Sequence, residues 1–370
     1  MEFSIERGAL ADAVTWAARV LPTRSPVPVL GGLLLEVTDG RLSVCGLDFE
    51  ASARIEVGAR TVRTGKALVM GRRLLDICKV LPDGPVECAV EGSRFTVTGD
   101  GARFGLSLLP LDDYPALPPL PEVRGAVDAA AFAAAVAQVS VAAGRDDTLP
   151  TLTGVRLGLD GSTMTLAATD RYRFAVRTLP WKATAPDVTA DVVVSARRLT
   201  EIARSMGRSG LVSVAVDAGS VGFEHAGMRT TVRLLDGRLP RHDKLFALSE
   251  PALAVTDRAR LVEAVKRVSV VADGGSPLQM TFSAPDGSVL LQAGYEDDVA
   301  SQRLPATLEG AEEMTVAFNP AYLVDALSSL EEPTVRMSLM GPGQRALITG
   351  GDEDAHQHQH LLMSVKPALL

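Results

Sequence analysis

Apolar and polar residues follow two alternating patterns along the 370-residue chain. Around Leu10, Phe132 and Leu261, apolar residues recur with helical spacing for about three turns. Each stretch breaks at Pro or Gly and continues as alternating apolar and polar residues around an Asp-Gly pair. Helical spacing followed by alternation of period two predicts a helix that leads into a β-hairpin.

This unit of a helix and strands occurs in two sets of three. Equivalent positions lie 122 and 129 residues apart in the first set, and 125 and 124 residues apart in the second set. They are Val14, Val136 and Val265 in the first set, and Leu74, Leu199 and Leu323 in the second. A repeat of this length predicts one domain design used three times, each domain having two similar halves.

The fold class predicted is therefore α+β, with three tandem domains. The boundaries fall in turn- and Pro-rich segments, 117–122 and 247–255. We place the domains at residues 1–120, 121–250 and 251–370.

Composition narrows the class of protein. The content of 46% hydrophobic residues is typical of soluble domains, and no apolar run reaches the roughly 18 residues that a membrane helix needs. The opening residues, MEFSIERGAL, do not fit a signal peptide, so we expect a cytoplasmic protein with no membrane partner. Three scattered cysteines, Cys45, Cys78 and Cys88, are expected to be buried thiols.

The charge distribution is uneven. The net charge is −8, which by itself argues against nucleic-acid binding, yet many Arg and Lys residues lie on the repeated helices. Summed over helices that face one way, these charges would form a basic surface suited to phosphate contacts without sequence readout. The alternative is that each is an ordinary solvated helix face.

No catalytic or cofactor motif is present in the sequence. Phosphate-binding loops, Ser-His-Asp arrangements and HExxH are all missing, so we predict a non-enzymatic protein that needs no cofactor. The segment HQHQH places His356, His358 and His360 at alternate positions. These histidines share one face of a strand, which leaves a metal site open as an alternative, but we interpret them as the exposed approach to a strand and predict no metal.

Several segments, taken together and in order, resemble the bacterial DNA polymerase III β subunit, the sliding clamp. They are GRRLLDICKVLP, RFGLSLLPLDDYPALP, TLPTLTGV, ATDRYRFAVR and LLDGRLP, preceded by an opening that is similar to the family's start. The segment AAGRDDTLPTLTGV looks most like the actinobacterial branch. The resemblance covers essentially the whole chain.

The resemblance implies a ring-shaped homodimer around duplex DNA, with helices lining the hole and sheets outside. The DNA-facing residues would be Arg24, Arg72, Arg73, Lys79, Arg145, Arg197, Arg198, Arg204 and Lys266. The dimer interface would contain Arg73, Arg103, Phe104, Leu106, Val270, Val271, Glu296, Asp297 and Asp298. For Phe104 and Leu106, an inward-facing strand is the alternative.

The resemblance also implies a groove between the second and third domains. It would bind short peptides of the DNA polymerase III α subunit, the clamp loader and other partners. Its walls would be Leu152, Thr169, Arg171, Tyr172, Arg173, Phe174, Pro240, Lys244, Leu245, Arg345, Leu361, Leu362, Met363, Ser364, Val365, Lys366 and Pro367. Such a wall explains why seven of the last ten residues, LLMSVKPALL, are aliphatic, Met or Ala.

The chain departs from the family pattern in this groove. Ser364, Lys366 and Pro367 stand where Pro, Arg and Leu are usual, and Arg345 stands where small residues or Pro are usual. We expect Ser364 to add a hydroxyl and an N–H and to loosen the backbone, and Arg345 to bring a long cation to the groove wall, pointing either into the groove or away from it. Neutral drift is one interpretation, and a specialised clamp tolerant of groove-binding inhibitors is another. An enzyme with a site between domains is a remote third.

Overall fold

The structure is a computed structural model that describes residues 1–24, 27–207, 209–272, 276–295, 298–351 and 357–366. The chain divides into two units. Unit one comprises Met1–Ala129 with Ser205–Leu234, and unit two comprises Ala130–Arg204 with Leu235–Leu370.

Helices and strands occur in the described residues in the following order. The helices are α1 (Arg7–Ala17), α2 (Gly71–Val80), α3 (Ala129–Ser140), α4 (Ala196–Ser205), α5 (Asp243–Phe246), α6 (Arg258–Val268) and α7 (Pro320–Ser329). The first strands are β1 (Glu2–Glu6), β2 (Gly32–Thr38), β3 (Arg41–Leu47), β4 (Ala51–Gly58), β5 (Arg60–Arg63), β6 (Gly65–Met70), β7 (Pro85–Glu91), β8 (Arg94–Gly99), β9 (Ala102–Ser107), β10 (Val123–Asp128), β11 (Gly154–Asp160), β12 (Thr163–Thr169) and β13 (Arg173–Pro180). The remaining strands are β14 (Lys182–Ala183), β15 (Thr189–Ser195), β16 (Leu211–Val216), β17 (Ser220–His225), β18 (Met228–Arg233), β19 (Ala252–Asp257), β20 (Leu278–Ser283), β21 (Ser288–Tyr295), β22 (Asp298–Glu309), β23 (Glu313–Phe318), β24 (Thr334–Leu339), β25 (Arg345–Gly350) and β26 (His358–Met363).

The predicted sequence of helix and hairpin is confirmed in each repeat. In the first repeat, α1 precedes β2 and β3, which pair antiparallel and turn at Asp39-Gly40, where Gly40 has φ +75°. A positive φ is costly for residues with a Cβ, which is why glycine stands at this turn. The pairs β11–β12 and β20–β21 repeat the hairpin after α3 and α6.

Unit one contains two antiparallel sheet regions. The smaller sheet runs β5-β1-β7-β8-β9, so β9 is its last strand. The larger runs β10-β16-β17-β18-β4-β3-β2-β6, and the pairing of β18 with β4 joins strands from the first two sequence repeats. The helices α1 and α2 pack together, burying Leu10, Val14 and Leu74 completely.

Unit two is built on a twelve-stranded sheet. Its order is β15-β11-β12-β13-β26-β25-β24-β19-β22-β21-β20-β23. The strand β26 therefore lies between β13 of the second repeat and β25 of the third, with Arg173 opposite Leu362 and Arg177 opposite His358. This central position explains why the described part of the terminal segment is apolar, since successive residues of a strand face opposite sides of the sheet, and Leu361 and Leu362 are each buried in a different apolar cluster.

Two further features of the composition can be checked in the structure. Cys45, Cys78 and Cys88 are free and buried, as the sequence predicted. No helix within the described residues is long and apolar enough to cross a membrane.

Candidate functional site

The β12–β13 turn, Thr169–Phe174, is held by its own side chains. The Thr169 hydroxyl donates to the Arg173 carbonyl (2.7 Å) and accepts from the Arg171 N–H (3.1 Å). The Asp170 carboxylate accepts from the N–H groups of Tyr172 (3.0 Å) and Arg173 (3.1 Å). Such a turn positions residue 171 at φ +82°, an unusual conformation for arginine.

Arg173 anchors this turn to α7. Its Nε donates to Asp170 (2.9 Å), and one terminal nitrogen donates to Asp325 (2.6 Å). The guanidinium also lies 4.2 Å from the centroid of the Tyr322 ring. Only 5% of the Arg173 side chain is exposed, so these contacts are largely shielded from water.

A cavity of about 570 Å³ opens beside the turn. It is lined by Ala143, Gly144, Arg145, Asp146, Leu149, Leu152, Asp170, Arg171, Tyr172, Arg173, Ala321, Tyr322 and Asp325. Four predicted groove residues are thus brought together here. No sequence motif pointed to Tyr322 and Asp325, which lie on α7, far along the chain from this turn. Arg145, predicted to face DNA, also lines this cavity.

Three other predicted wall residues, Phe174, Leu245 and Leu361, lie in an apolar cluster. Phe174 and Leu361 are buried at 3% and 5% exposure, and Leu245, Phe246 and Leu347 pack against them. The Phe246 ring meets Phe174 edge-on at 5.7 Å between centroids. The Phe246 ring also meets the ring of His242 at 5.5 Å, and burial lowers the pKa of that histidine.

Ser364 is firmly held after β26. Its N–H donates to the Gln344 carbonyl (2.9 Å), and its buried hydroxyl lies within hydrogen-bond distance of the Gly341 carbonyl (3.0 Å), the Gln344 carbonyl (2.8 Å) and the Gln344 N–H (2.9 Å). Both polar groups that serine introduces, the hydroxyl and the N–H, are thus used in hydrogen bonds, and the looser backbone stays a prediction. The neighbouring Met363 N–H donates to the Tyr172 carbonyl (2.9 Å), which ties the strand to the turn.

Arg345 reaches the predicted groove region. Its guanidinium donates to the carbonyls of Leu245 (2.8 Å) and Lys244 (3.4 Å). Met363 and Val365 are 41% and 42% exposed at the same end of the sheet. Lys366 and Pro240 are exposed, and Pro367 lies outside the described residues.

The residues predicted to face DNA lie on or beside helices. Arg24, Arg72, Arg73, Lys79, Arg145, Arg197, Arg204 and Lys266 are exposed. Arg198 differs, because its side chain is only 17% exposed and lies 3.6 Å from Glu201. Lys79 and Lys266 each contact an acidic side chain one helical turn earlier.

The residues predicted for the dimer interface lie near two strand edges. Phe104 and Leu106 are on β9, the last strand of its sheet, and Arg103 contacts Glu91. Val270 is 81% exposed, while Val271 is half-buried and Asp298 is exposed. Glu296 and Asp297 lie outside the described residues.

The sequence predicts an exposed histidine segment, which is wrong for the two of these histidines that the structure describes. His358 and His360 are buried on β26 at 3% and 1% exposure, and His356 is outside the described residues. Their Nε2 atoms lie 3.0 Å apart, and that of His360 lies 2.8 Å from the Ser329 hydroxyl. These hydrogen bonds offset part of the free-energy cost of burying the two imidazoles. Within the described part of the chain, no cluster of three or more metal-ligating side chains occurs.

The chain matches one family of known proteins along most of its length. Models of the DNA polymerase III beta subunit match the N-terminal domain over residues 1–118, the central domain over 126–241 and the C-terminal domain over 244–364. The chain is 45% identical to the beta sliding clamp of Streptomyces coelicolor, covering 99% of both chains. It is 43% identical to the beta sliding clamp homolog GriR of Streptomyces muensis, covering 95% of this chain and 94% of that one.

A solved structure gives the same result for the fold. The sliding clamp of Pseudomonas aeruginosa bound to griselimycin aligns with a TM-score of 0.93 at 26% identity, covering 99% of this chain and 100% of that one. The chain matches all three domains of one family, and it matches a sliding clamp over 99% of its length. It therefore belongs to the DNA polymerase III beta subunit family, whose members are non-catalytic sliding clamps.

Proposed function

We propose that two copies of this chain close head to tail into a ring around duplex DNA and tether DNA polymerase III and other proteins through the groove of unit two. Each copy would contribute the domains 1–120, 121–250 and 251–370. The observation that carries the proposal is the full-length match to sliding clamps in both sequence and fold.

Ring closure is supported by two open strand edges. The strand β9 ends the smaller sheet of unit one. In unit two, residues 298–305 of β22 pair with β21, whereas the pairing with β19 begins only at Ala306. An unpaired strand edge is a template for pairing with another chain. We propose that β9 of one copy lies along this part of β22 in the other, with Val270 nearby.

Sliding on DNA is supported by the helix charges. Helices α2, α4 and α6 each carry at least three Arg or Lys residues and a single acidic residue. Exposed cations of this kind contact phosphates without reading bases, and such contacts weaken as salt rises. We propose that these helices face the DNA, and that Arg198, largely buried, contributes less than its exposed neighbours.

The groove is supported by its mixed chemistry. The cavity beside Tyr172 has exposed aromatic and charged walls, and the adjacent cluster around Phe174 is apolar. Ligand sites in proteins combine apolar surface with a few fixed polar groups in this way. We propose that a peptide with apolar anchors binds across both parts.

The oligomeric state tests ring closure. In sedimentation velocity, we expect a particle of two 38.9 kDa chains. Val270→Glu places a charge on a proposed contact and should shift the particle to one chain. The matched control is Val62→Glu, which alters a 63% exposed valine on β5 and should remain dimeric. A wild-type protein that sediments as a single chain would contradict the proposal.

A second candidate function is a specialised clamp whose groove favours different ligands from those of an ordinary clamp. The observation that favours it is Arg345, whose guanidinium lies against the α5 backbone where the family usually has a small residue or Pro. The test measures the affinities of griselimycin and of a Gln-x-x-Leu-x-Phe peptide for this protein and for the Streptomyces coelicolor clamp. We expect griselimycin to lose more affinity than the peptide does. Equal affinities of both proteins for both ligands would exclude this function.

A further inference from the structure

We infer that Arg345 latches α5 over the apolar half of the groove, so that Phe246 occupies the place which a ligand's apolar anchor must take. This inference rests on the proposed peptide-binding function. It makes Arg345 and Phe246 specificity-determining residues, because a ligand binds there only after α5 has moved.

The latch consists of a cation and two backbone carbonyls. Arg345 is the first residue of β25 and pairs with Met363 on β26. From this fixed position, its guanidinium donates to the carbonyls of Leu245 and Lys244, at the end of α5. Carbonyls at a helix end lack intrahelical partners, and arginine satisfies them well.

The apolar cluster beneath the latch is filled by α5 itself. Leu245 and Phe246 pack on Phe174 and Leu361, and the Phe246 ring is edge-on to the rings of both Phe174 and His242. Edge-to-face pairs of aromatic rings are favourable beyond the area that they bury. The chain therefore supplies to its own groove the type of side chain that a peptide anchor would offer.

Helix α5 is small enough to move as a unit. It spans only four residues, and the N–H groups of Leu245 and Phe246 both donate to the His242 carbonyl. Its internal hydrogen bonds thus survive if the turn swings away, whereas the hydrogen bonds from the Arg345 guanidinium to its carbonyls break. Short elements with few anchoring contacts open at low free-energy cost.

A closed latch lowers apparent affinity. When only a fraction of molecules is open, the apparent Kd rises by the inverse of that fraction. Removing a charge-assisted hydrogen bond that favours the closed state should raise the open fraction about tenfold. The same gain should appear mainly as faster association, because opening precedes binding.

The test titrates a fluorescein-labelled Gln-x-x-Leu-x-Phe peptide into the full-length protein and three variants. Arg345→Ala should bind about tenfold more tightly with a faster association rate, and Phe246→Ala should also bind more tightly. Arg336→Ala is the matched control, since Arg336 is an exposed arginine on the adjacent strand β24 and should leave affinity unchanged. Unchanged or weaker binding by a folded Arg345→Ala protein would overturn the latch.

A second measurement needs no ligand. Hydrogen exchange of the amides in residues 243–248 should be faster in Arg345→Ala than in the wild type and in Arg336→Ala. If no protein binds the peptide, the proposed peptide groove fails, and exchange still decides whether the latch exists. Equal exchange in all three proteins would overturn the latch even if every protein binds the peptide.

Discussion

At the residue scale, Arg173 is a residue of a predicted groove motif that the fold buries and pairs with two carboxylates. The sequence motif TDRYRF suggested a groove wall, but the structure buries Arg173 between Asp170, Asp325 and the Tyr322 ring. A buried cation is retained only when it is paired and hydrogen-bonded. The exposed members of the motif are Arg171 and Tyr172, which both line the cavity.

Replacing Arg173 should therefore destabilise unit two. We expect Arg173→Met to lower the free energy of unfolding by about 2 kcal/mol, because Asp170 loses its cation while Asp325, partly exposed, keeps some solvation. Guanidinium unfolding followed by circular dichroism measures the change. Arg171→Gly removes the same charge from the same turn and relieves a positive φ, so it should cost little or stabilise. Equal losses in the two variants would contradict this role.

Ser364 is a second residue whose partners depend on the fold. From the sequence, replacing a rigid proline with serine suggests more freedom, whereas in the structure the new N–H and hydroxyl both bind the segment around Gln344. We expect stability to fall in the order wild type, Ser364→Ala, Ser364→Pro. Loss of the hydroxyl in Ser364→Ala should lower the free energy of unfolding by about 1 kcal/mol, and Ser364→Pro should lower it further because it also removes the N–H. Thermal melts would measure this order, with Ser301→Ala on exposed β22 as the control. A Ser364→Pro protein more stable than the wild type would refute it.

At the element scale, the longer elements were predictable and the shortest was not. Periodicity identified the helices around Val14, Val136 and Val265 and the hairpins that follow them, since those elements are long enough to show a pattern. Helix α5 has one turn and therefore no period. The position of Tyr322 beside Tyr172 depends on packing between repeats, which local sequence does not encode.

The histidines on β26 show the same limitation. Alternation correctly predicted that His358 and His360 share a face, and their Nε2 atoms do meet. It did not show which face is buried, because that depends on β13, β25 and α7 packing around the strand. Arg177 lies opposite His358 on β13, and Arg173 also contributes positive charge near His360.

Acid should weaken unit two through this pair. Burial, with a smaller effect of Arg177, lowers the pKa of His358 to about 3, and burial lowers that of His360 well below 6.5. Below pH 6.5 the unfolded chain binds protons that the folded chain does not. The free energy of unfolding is therefore at its full value above pH 6.5. As the pH falls from 6.5 towards 3, each histidine lowers it by roughly 1.4 kcal/mol per pH unit.

Unfolding by guanidinium at pH 7.5, 6.5 and 5.5 tests this dependence. His360→Gln keeps a hydrogen-bonding side chain but does not titrate, so its stability should fall less steeply below pH 6.5 than that of the wild type. The difference in slope should correspond to about one proton. Parallel curves for the two proteins would show that the pair does not titrate in this way.

At the scale of the whole molecule, the distribution of charge and the edges of the sheets both support the proposed ring around DNA. An acidic chain carries basic residues on α2, α4 and α6, and each unit presents an open strand edge. The sequence predicted the three repeats and the basic helices. It could not show the open edges, because those depend on which strands lack a neighbour.

The central claim is that this protein is held on DNA by encircling it. The most direct measurement loads the protein onto nicked circular DNA with a clamp loader, isolates the complex and then linearises the DNA. A ring is retained on the intact circle and slides off the ends of the linear molecule. Retention after linearisation, at the same salt concentration, would show that ordinary contacts hold the protein and would contradict the account.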